Sequence, residues 1–246
     1  MMMKNKIAVV TGAGGDLGSA ICMRLAEEGA TLVLTFRKSE EQTRALASSL
    51  PGSDHLVIRA RVDESDSLER LASEIEQRYG TVDLLVNNAG ITRSVPHDDL
   101  DSLDDELIDD IFRTNWRGAF ACIRSLKNLL SGGAGGVVVN ISSIAGVTGI
   151  GSNVAYCASK AALNSMTISL ARALAPQVRV VSVSPGWVSG KIAATMPREY
   201  VQEQVDKTPL GKLATPRDVA DAVLAVTLLH HTTGSIIPVD GGRPFI

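Results

Sequence analysis

The chain has 246 residues, of which 45% are hydrophobic and 21% are charged, and its formal net charge is −3. This length suits one large α/β domain or two small ones, and the composition suits a compact core. The small negative charge excludes a general attraction to nucleic acid or to an anionic membrane, and no apolar run reaches the about 18 residues of a membrane-spanning helix.

Strand-like and helix-like segments alternate along the chain. Short apolar runs rich in β-branched residues predict strands at residues 6–10, 31–35, 55–62, 82–86, 137–141, 178–183 and 235–239. Helical periodicity predicts helices at 17–28, 40–50, 65–79 and 216–230, two helical stretches within 100–130, and a long helix at 154–175. Such alternation predicts right-handed crossovers and a parallel sheet. We therefore expect a single α/β domain, a doubly wound Rossmann-type sheet of about seven strands with helices on both faces.

The N-terminal residues and the cysteines indicate a compartment. Residues 1–10 lead directly into a strand and lack the hydrophobic region of a signal peptide. Cys22, Cys122 and Cys157 are scattered, without the spacing of a metal site or of paired disulfides. We expect a cytoplasmic protein with buried, reduced thiols and no metal site.

The stretch TGAGGDLG, residues 11–18, follows the first strand and opens a helix. Glycines allow a tight turn there and let backbone N–H groups approach a pyrophosphate at the helix N-terminus. A plain turn between strand and helix is the alternative, but the position after the first strand favours a nucleotide site. The predicted contacts are Gly12, Gly14, Gly15, Asp16, Leu17 and Gly18.

A serine, a tyrosine and a lysine form the candidate catalytic set. Tyr156 and Lys160 are four residues apart, on one face of the long helix, and Ser143 lies just past the strand 137–141. A free tyrosine titrates near about 10, and a nearby ammonium should lower its pKa. The phenol could then exchange a proton with a carbonyl or an alcohol, while the serine hydroxyl bonds the same oxygen. Nothing in this set supplies a hydride, so a cofactor must; a surface pair on a helix is the alternative.

Several motifs occur in one order and jointly resemble the short-chain dehydrogenase/reductase family. They are TGAGGDLG, Asn87-Asn88-Ala89-Gly90, Asn115, Ser143, Tyr156-x-x-x-Lys160 and Pro185-Gly186, within residues 6–240. In a doubly wound sheet the loops after the strands meet at one edge, where ligands bind. The resemblance implies NAD(P)-dependent interconversion of a carbonyl and an alcohol.

The resemblance also implies a role for each site residue. Tyr156 would be the acid/base, Ser143 would position the carbonyl oxygen, and Asn115 would anchor a water in a proton relay. Lys160 would lower the pKa of Tyr156 and hold the nicotinamide ribose. The remaining implied cofactor contacts are Val62, Asn88, Ala89, Gly90, Pro185, Gly186 and Val188.

The chain is most similar to the bacterial 3-oxoacyl-(acyl-carrier-protein) reductase branch, through residues 87–93, 208–223 and 233–242. This similarity implies reduction of a β-keto thioester, an acyl-carrier protein as a possible partner, a place in fatty acid biosynthesis, and a homotetramer packed through residues 115–130 and 154–175. The alternatives are a polyol, sugar or hydroxysteroid dehydrogenase and, in another class, a nucleotide-binding sensor without catalysis.

Cofactor choice depends on the end of the second strand. An acidic residue there would favour NAD by bonding a ribose hydroxyl, but the chain has Phe36 followed by Arg37 and Lys38. Arginine suits a 2′-phosphate through forked, charge-assisted hydrogen bonds. We predict NADP(H) rather than NAD(H), with Arg37 as the contact; the alternative is that both charges are solvated.

Three positions and one segment depart from the family pattern. Asp16 replaces a loop glycine and is expected to cap the following helix. Arg61 stands where an aspartate often contacts adenine, and Gly190 where a threonine often stands, with Ser189 as its possible substitute. Residues 129–136 lack the basic residues of the branch, which leaves Arg124, Lys127 and Arg172 as a smaller patch.

The single domain, residues 1–246, divides by function. Residues 1–140 are the predicted cofactor-binding part, and residues 141–246 are the predicted catalytic and substrate part. Within the latter, residues 187–209 follow the loop that faces the nicotinamide and are the predicted substrate lid.

Overall fold

The computed structural model describes residues 1–243, so residues 244–246 of the predicted domain lie outside the described part. The strands are β1 Ile7–Val10, β2 Thr31–Phe36, β3 Leu56–Arg59, β4 Leu84–Asn87, β5 Gly136–Ile141, β6 Val178–Pro185 and β7 Ile236–Val239. The α-helices are α1 Asp16–Glu27, α2 Glu40–Ser49, α3 Ser65–Tyr79, α4 Asp105–Phe112, α5 Ala119–Leu130, α6 Ala145–Thr148, α7 Val154–Leu174, α8 Lys191–Ala194, α9 Arg198–Asp206 and α10 Pro216–Leu228. A π-helical segment, Arg113–Gly118, joins α4 to α5.

The strands form one parallel sheet in the order β3-β2-β1-β4-β5-β6-β7. Strand order reverses between β1 and β4, which creates the crevice where such sheets bind ligands. The sheet runs through both predicted parts of the chain, so the described residues form one domain. The predicted doubly wound Rossmann-type fold is confirmed.

Alternating strand residues build two cores, one on each face of the sheet. Ala8 and Val10 of β1 join the core under α1 and α10. Val9 between them joins the other core, with residues of α3, α5 and α7. Successive strand residues point to opposite faces, so a run of apolar residues fills both layers.

The structure corrects three predicted boundaries. The strand predicted at 55–62 ends at Arg59, because the chain turns and the Arg61 N–H donates to Ser67 Oγ at 2.9 Å. Helix within 100–130 begins only at α4, where the Asp104 carboxylate accepts from the Leu107 N–H at 2.8 Å. The loop-rich segment after Pro185 contains α8 and α9.

The cysteines are buried, and each is a free thiol. Burial raises the pKa of Cys122 to about 12 and raises the pKa of Cys22 further. Through residue 243, none of the helices combines the length and apolar character that crossing a bilayer requires.

Candidate active site

The loops after β1 and β4 are bound together at the carboxyl edge of the sheet. The Thr11 hydroxyl oxygen accepts hydrogen bonds from the backbone N–H groups of Asn88 and Ala89, each at 3.0 Å. The Asn88 amide donates to the carbonyl oxygens of Thr11 at 2.9 Å and Gly12 at 3.1 Å. These bonds fix the NNAG stretch against the glycine-rich loop, and they show that the Asn88 side chain supports the loop.

The glycine-rich loop brings the N-terminus of α1 close to β1. A Cβ on Gly18 would lie 2.3 Å from the Gly12 carbonyl oxygen, so only glycine allows this approach. A Cβ on Gly14 would lie 2.6 Å from Ser39 Oγ, and Leu17 packs on the core below. The loop is therefore set by close contacts on its inner side.

The outer side of this turn suits a pyrophosphate. Gly15 precedes α1, and no side chain caps the helix. A Cβ on Gly15 would meet only the Gly12 oxygen, at 3.5 Å, so the turn is open there. The first N–H groups of a helix have no partner within it and attract anions. The residues present thus fit the diphosphate of a dinucleotide.

Asp16 does not cap α1, so that expectation is wrong. Asp16 is the first residue of α1, and its Oδ2 accepts from the backbone N–H of Lys191 at 2.6 Å. The Lys191 ammonium lies 3.4 Å from Oδ1. The carboxylate is turned away from the first N–H groups of α1 because α8 supplies both partners.

Lys160 lies buried beneath the end of β5. Its ammonium donates to the Ile141 carbonyl oxygen at 2.8 Å and lies 5.7 Å from the centre of the Tyr156 ring. Burial lowers the pKa of Lys160 to about 8, because the surroundings disfavour the charged form. A Cβ on Gly90 would lie 3.8 Å from this ammonium and 3.3 Å from Asn115 Oδ1, so Gly90 keeps the space between them open.

Tyr156 and Ser143 meet as predicted, but the pKa of Tyr156 moves the other way. Burial raises the pKa of the Tyr156 phenol above its ordinary value, and the hydrogen bond from Ser143 opposes this rise only in part. Part of Tyr156 remains exposed, yet its surroundings shield the phenolate from water. The expected net lowering of the Tyr156 pKa is wrong for this arrangement, because desolvation outweighs the interactions that favour the phenolate. A phenol with a raised pKa stays protonated at neutral pH.

Asn115 lies in the π-helical segment and turns its side chain toward the loop after β4. Its Oδ1 accepts from the Ile91 N–H at 2.8 Å, and its Nδ2 donates to the Ile91 carbonyl oxygen at 3.0 Å. Nδ2 also donates to Ser159 Oγ at 3.2 Å, and that hydroxyl donates to the Tyr156 carbonyl oxygen at 2.8 Å. Segments of π-helix often occur at functional sites, and this one ties Asn115 to the helix that carries Tyr156 and Lys160.

Sequence reasoning missed three residues that hold the site: Ser159, Gly146 and Asn153. A Cβ on Gly146 would lie 2.6 Å from the backbone of Lys160, so this glycine lets the Ser143 loop contact α7. The Asn153 side chain accepts from the Tyr156 N–H at 2.7 Å and so caps α7. An asparagine before a helical pattern is a capping signal that could have revealed Asn153.

Three arginines lie near the ends of β2 and β3, where an adenosine would bind. Arg37 is exposed, and in the described residues its side chain has no ion-pair partner. Arg59 Nε donates to the Arg37 carbonyl oxygen at 3.4 Å. Arg61 is paired with Asp63 through two hydrogen bonds of 3.2 and 2.6 Å, and Val62 is buried against Gly118. Of the three, Arg61 is held by Asp63, whereas the exposed Arg37 and Arg59 keep guanidinium N–H groups available to a ligand.

The loop after β6 is fixed to its neighbours. The Pro185 carbonyl oxygen accepts from the Ile144 N–H, and the Gly186 N–H donates to the Val239 carbonyl oxygen, each at 3.0 Å. Val188 pairs with Ala214 in an isolated bridge. Ser189 Oγ donates to the Ala214 carbonyl oxygen at 3.2 Å, so its proton is not directed to a ligand.

Residues 187–209, the predicted lid, contain α8 and α9. The rings of Trp187 and Tyr200 meet edge to face, with centres 5.6 Å apart. Arg243 donates to the backbone oxygen of Gln204 at 3.0 Å and to its Oε1 at 2.5 Å. The Arg243 bonds therefore tie α9 to the segment that follows β7.

Comparison with known proteins gives consistent results. The family model described as enoyl-(acyl carrier protein) reductase matches residues 12–243. A protein named as ketoacyl reductase 2 of the granaticin polyketide synthase, from Streptomyces violaceoruber, is 36% identical over 96% of this chain and 95% of its own length. The protein named 3-oxoacyl-(acyl-carrier-protein) reductase FabG from Thermotoga maritima is 32% identical over 98% of this chain and 99% of its own.

A solved structure extends this similarity to the fold. The crystal structure of a Burkholderia xenovorans protein titled a short-chain dehydrogenase/reductase matches with a TM-score of 0.90 and 30% identity. The match covers 98% of both chains. The likeness thus covers the glycine-rich loop, the catalytic set and the lid together.

Proposed function

The chain belongs to the short-chain dehydrogenase/reductase family, and from this membership we propose that it reduces the β-keto group of a 3-oxoacyl thioester with NADPH. The observation that carries the proposal is the contact of the Ser143 hydroxyl with the Tyr156 phenol, with the buried Lys160 ammonium 5.7 Å from the centre of the Tyr156 ring. Two neighbouring hydroxyls suit a carbonyl oxygen that becomes an alcohol. Relatives similar over nearly their whole length bear the names of 3-oxoacyl reductases.

The residues divide the chemistry among them. NADPH, when bound, supplies a hydride to the carbonyl carbon. Tyr156 transfers its proton to the carbonyl oxygen, and Ser143 hydrogen-bonds that oxygen as negative charge develops on it. The Lys160 ammonium, which is mostly charged at neutral pH because its pKa is about 8, stabilises the phenolate left on Tyr156. Asn115 holds the loop after β4 in place beside Lys160.

A preference for NADPH is supported by the charges at the end of β2. Arg37 and Lys38 are exposed there, and Arg59 lies beside them. A 2′-phosphate would gain forked, charge-assisted bonds from Arg37. We expect Arg37→Ala to reduce the preference for NADPH over NADH by roughly tenfold, the scale of one charged hydrogen bond. Arg44→Ala, which removes an exposed arginine of α2, should leave the preference unchanged.

An acyl substrate is favoured over a polyol by the surroundings of the catalytic loop. Val147, Ile150 and Val154 are exposed beside Ser143 and Tyr156 in the chain. An apolar rim binds an acyl chain but offers few partners to a substrate with many hydroxyls. The carrier of the thioester, an acyl-carrier protein or coenzyme A, would bind outside this rim.

We also propose that the protein acts as a homotetramer. Trp116 and Ile168 are exposed apolar residues on the two helical regions expected to pack against partner subunits. Trp116 stacks on Phe120 with ring centres 6.3 Å apart, which gives this surface a rigid apolar feature. Sedimentation at micromolar concentration should show a tetramer, and a monomer would contradict the proposal.

The direct test is the initial rate of cofactor oxidation with acetoacetyl-CoA, with NADPH and NADH in parallel. Crotonyl-CoA, an enoyl thioester, serves as the matched substrate because the family model is named for enoyl reduction. We expect turnover of the ketone with NADPH preferred. Faster turnover of crotonyl-CoA, or of a polyol with oxidised cofactor, would overturn the proposed substrate, and cofactor binding without any turnover would favour a sensor.

A further inference from the structure

Two unusual residues of the sequence, Asp16 and Gly190, lie in contact although they are far apart in the chain. A Cβ built on Gly190 would lie 2.9 Å from Asp16 Oδ2. The same oxygen accepts from the Lys191 N–H at 2.6 Å across a separation of 175 residues. Asp16 thus occupies the space that any side chain at position 190 would need.

The Asp16 carboxylate joins α1 directly to the beginning of the lid, residues 187–209. Helix α8 has four residues, so its own turn cannot satisfy the Lys191 N–H, which must find a partner outside the helix. The carboxylate supplies that partner and pairs with the Lys191 ammonium at 3.4 Å. Its position in the first turn of α1 also suits a negative charge.

We propose that Asp16 is a positioning residue that couples cofactor binding to lid closure. Asp16 follows Gly15 directly, at the turn whose outer side fits a pyrophosphate, and it holds Lys191 at the start of the lid. A ligand that orders this turn therefore orders the carboxylate, and the carboxylate orders α8. Gly190 is needed for the same contact, because the absence of a side chain there leaves room for the Asp16 carboxylate. The coupling between cofactor binding and lid closure rests on the proposed cofactor site, whereas the contact between Asp16 and Lys191 does not.

Limited trypsin digestion tests the contact without any ligand or turnover. Lys191 is exposed and lies inside the lid, so cleavage after it reports opening. We expect Asp16→Ala to raise the rate of cleavage by at least about tenfold, the scale of one hydrogen bond to a charged group. Asp16→Asn keeps an oxygen that can accept from the Lys191 N–H and should restore at least half of the protection. Equal cleavage of wild type and Asp16→Ala, or of Asp16→Asn and Asp16→Ala, would overturn the contact.

A double-mutant cycle separates this contact from a general loosening. Gly190→Ala should open the lid because its Cβ displaces the carboxylate. In the Asp16→Ala background the same change should add nothing, since no carboxylate remains to displace. Glu41→Ala, which removes a first-turn carboxylate from α2, is the matched control and should cleave like wild type. Additive effects of the two changes would contradict a shared contact.

The coupling is tested with NADP⁺, which binds without turnover. We expect NADP⁺ to slow cleavage of the wild type several-fold and to protect Asp16→Ala much less. Equal protection of both proteins would overturn the coupling. In acetoacetyl-CoA reduction, KM should rise more than kcat falls in Asp16→Ala. If acetoacetyl-CoA proves not to be a substrate, the digestion results still decide whether Asp16 holds the lid.

Discussion

The catalytic corner and the lid are held in opposite ways. The corner consists of Asn115, Ser143, Tyr156 and Lys160, whose residues lie just past β5, on α7 and on the π-helical segment, and buried or partly buried hydrogen bonds to the backbone hold it. The lid, residues 187–209, is more exposed, and its bonds to the rest of the chain include those of Lys191 to Asp16 and of Arg243 to Gln204. Groups that perform chemistry need fixed geometry, whereas a segment that admits substrate must move. The comparison predicts that changes in the corner lower kcat and changes in the lid raise KM.

The largest effect is expected from Tyr156→Phe, which removes the proposed proton donor and little else. A general acid contributes roughly 10²–10⁴-fold, so kcat should fall about a thousandfold. Because the ring remains, the melting temperature should change little and NADPH fluorescence should still report cofactor binding. Turnover within tenfold of wild type would mean that another group donates the proton, and Tyr156 would not be the general acid.

The fold and most of this corner could be predicted because their signals are local or periodic. Apolar runs and helical periodicity gave the parallel sheet, and the spacing of Tyr156 and Lys160 placed both on one helix face. Contacts between side chains far apart in the chain have no such signal. The bond from Lys191 to Asp16 spans 175 residues, and nothing near either residue indicates the other. Burial around Tyr156 likewise depends on the whole fold, so the direction of its pKa shift could not be predicted.

Lys160→Met should lower kcat and raise the stability of the folded protein. Burial lowers the pKa of Lys160 from 10.5 to about 8, so a charged lysine destabilises the folded state at neutral pH by roughly 3 kcal/mol. Methionine removes that cost, so urea denaturation should show a more stable protein, while kcat falls about a hundredfold because no cation stabilises the phenolate. A less stable variant would show that the ammonium supports the fold.

The pKa of Lys160 also predicts how kcat and the stability of the protein change with pH. In the wild type, kcat for reduction should fall as pH rises through about 8, where Lys160 loses its charge. Stability should rise with pH between about 8 and 10.5, because the unfolded lysine binds its proton more tightly. Urea titrations at several pH values would measure this slope, and Lys160→Met should flatten it. If stability changed with pH equally in Lys160→Met, a group other than Lys160 would be responsible for the titration.

Ser159→Ala tests how much the bond between Asn115 and Ser159 contributes to the geometry of the corner. The change removes one partner of Asn115 Nδ2 and leaves Ile91 as the other. A loss of about 1 kcal/mol in positioning corresponds to roughly a fivefold fall in kcat, with KM nearly unchanged. Ser48→Ala is the matched control, because that serine also bonds a backbone oxygen of its own helix but lies exposed on α2. A rise in KM instead would show that Asn115 positions substrate.

The smallest effect is expected from Arg243→Ala, at the far anchor of the lid. The change leaves Oε1 of the buried Gln204 without its donor, while the Gln204 backbone oxygen keeps the Thr208 hydroxyl, so α9 should separate more readily from the segment after β7. KM for acetoacetyl-CoA should rise roughly threefold, while kcat stays within about twofold because no corner residue contacts this anchor. Arg198→Ala removes an exposed arginine of the same helix and should change neither constant. A fall in kcat larger than the rise in KM would show that the lid contributes to the chemical step. The corner and the lid would then act as one unit, and the contrast between a fixed site and a mobile lid would be wrong.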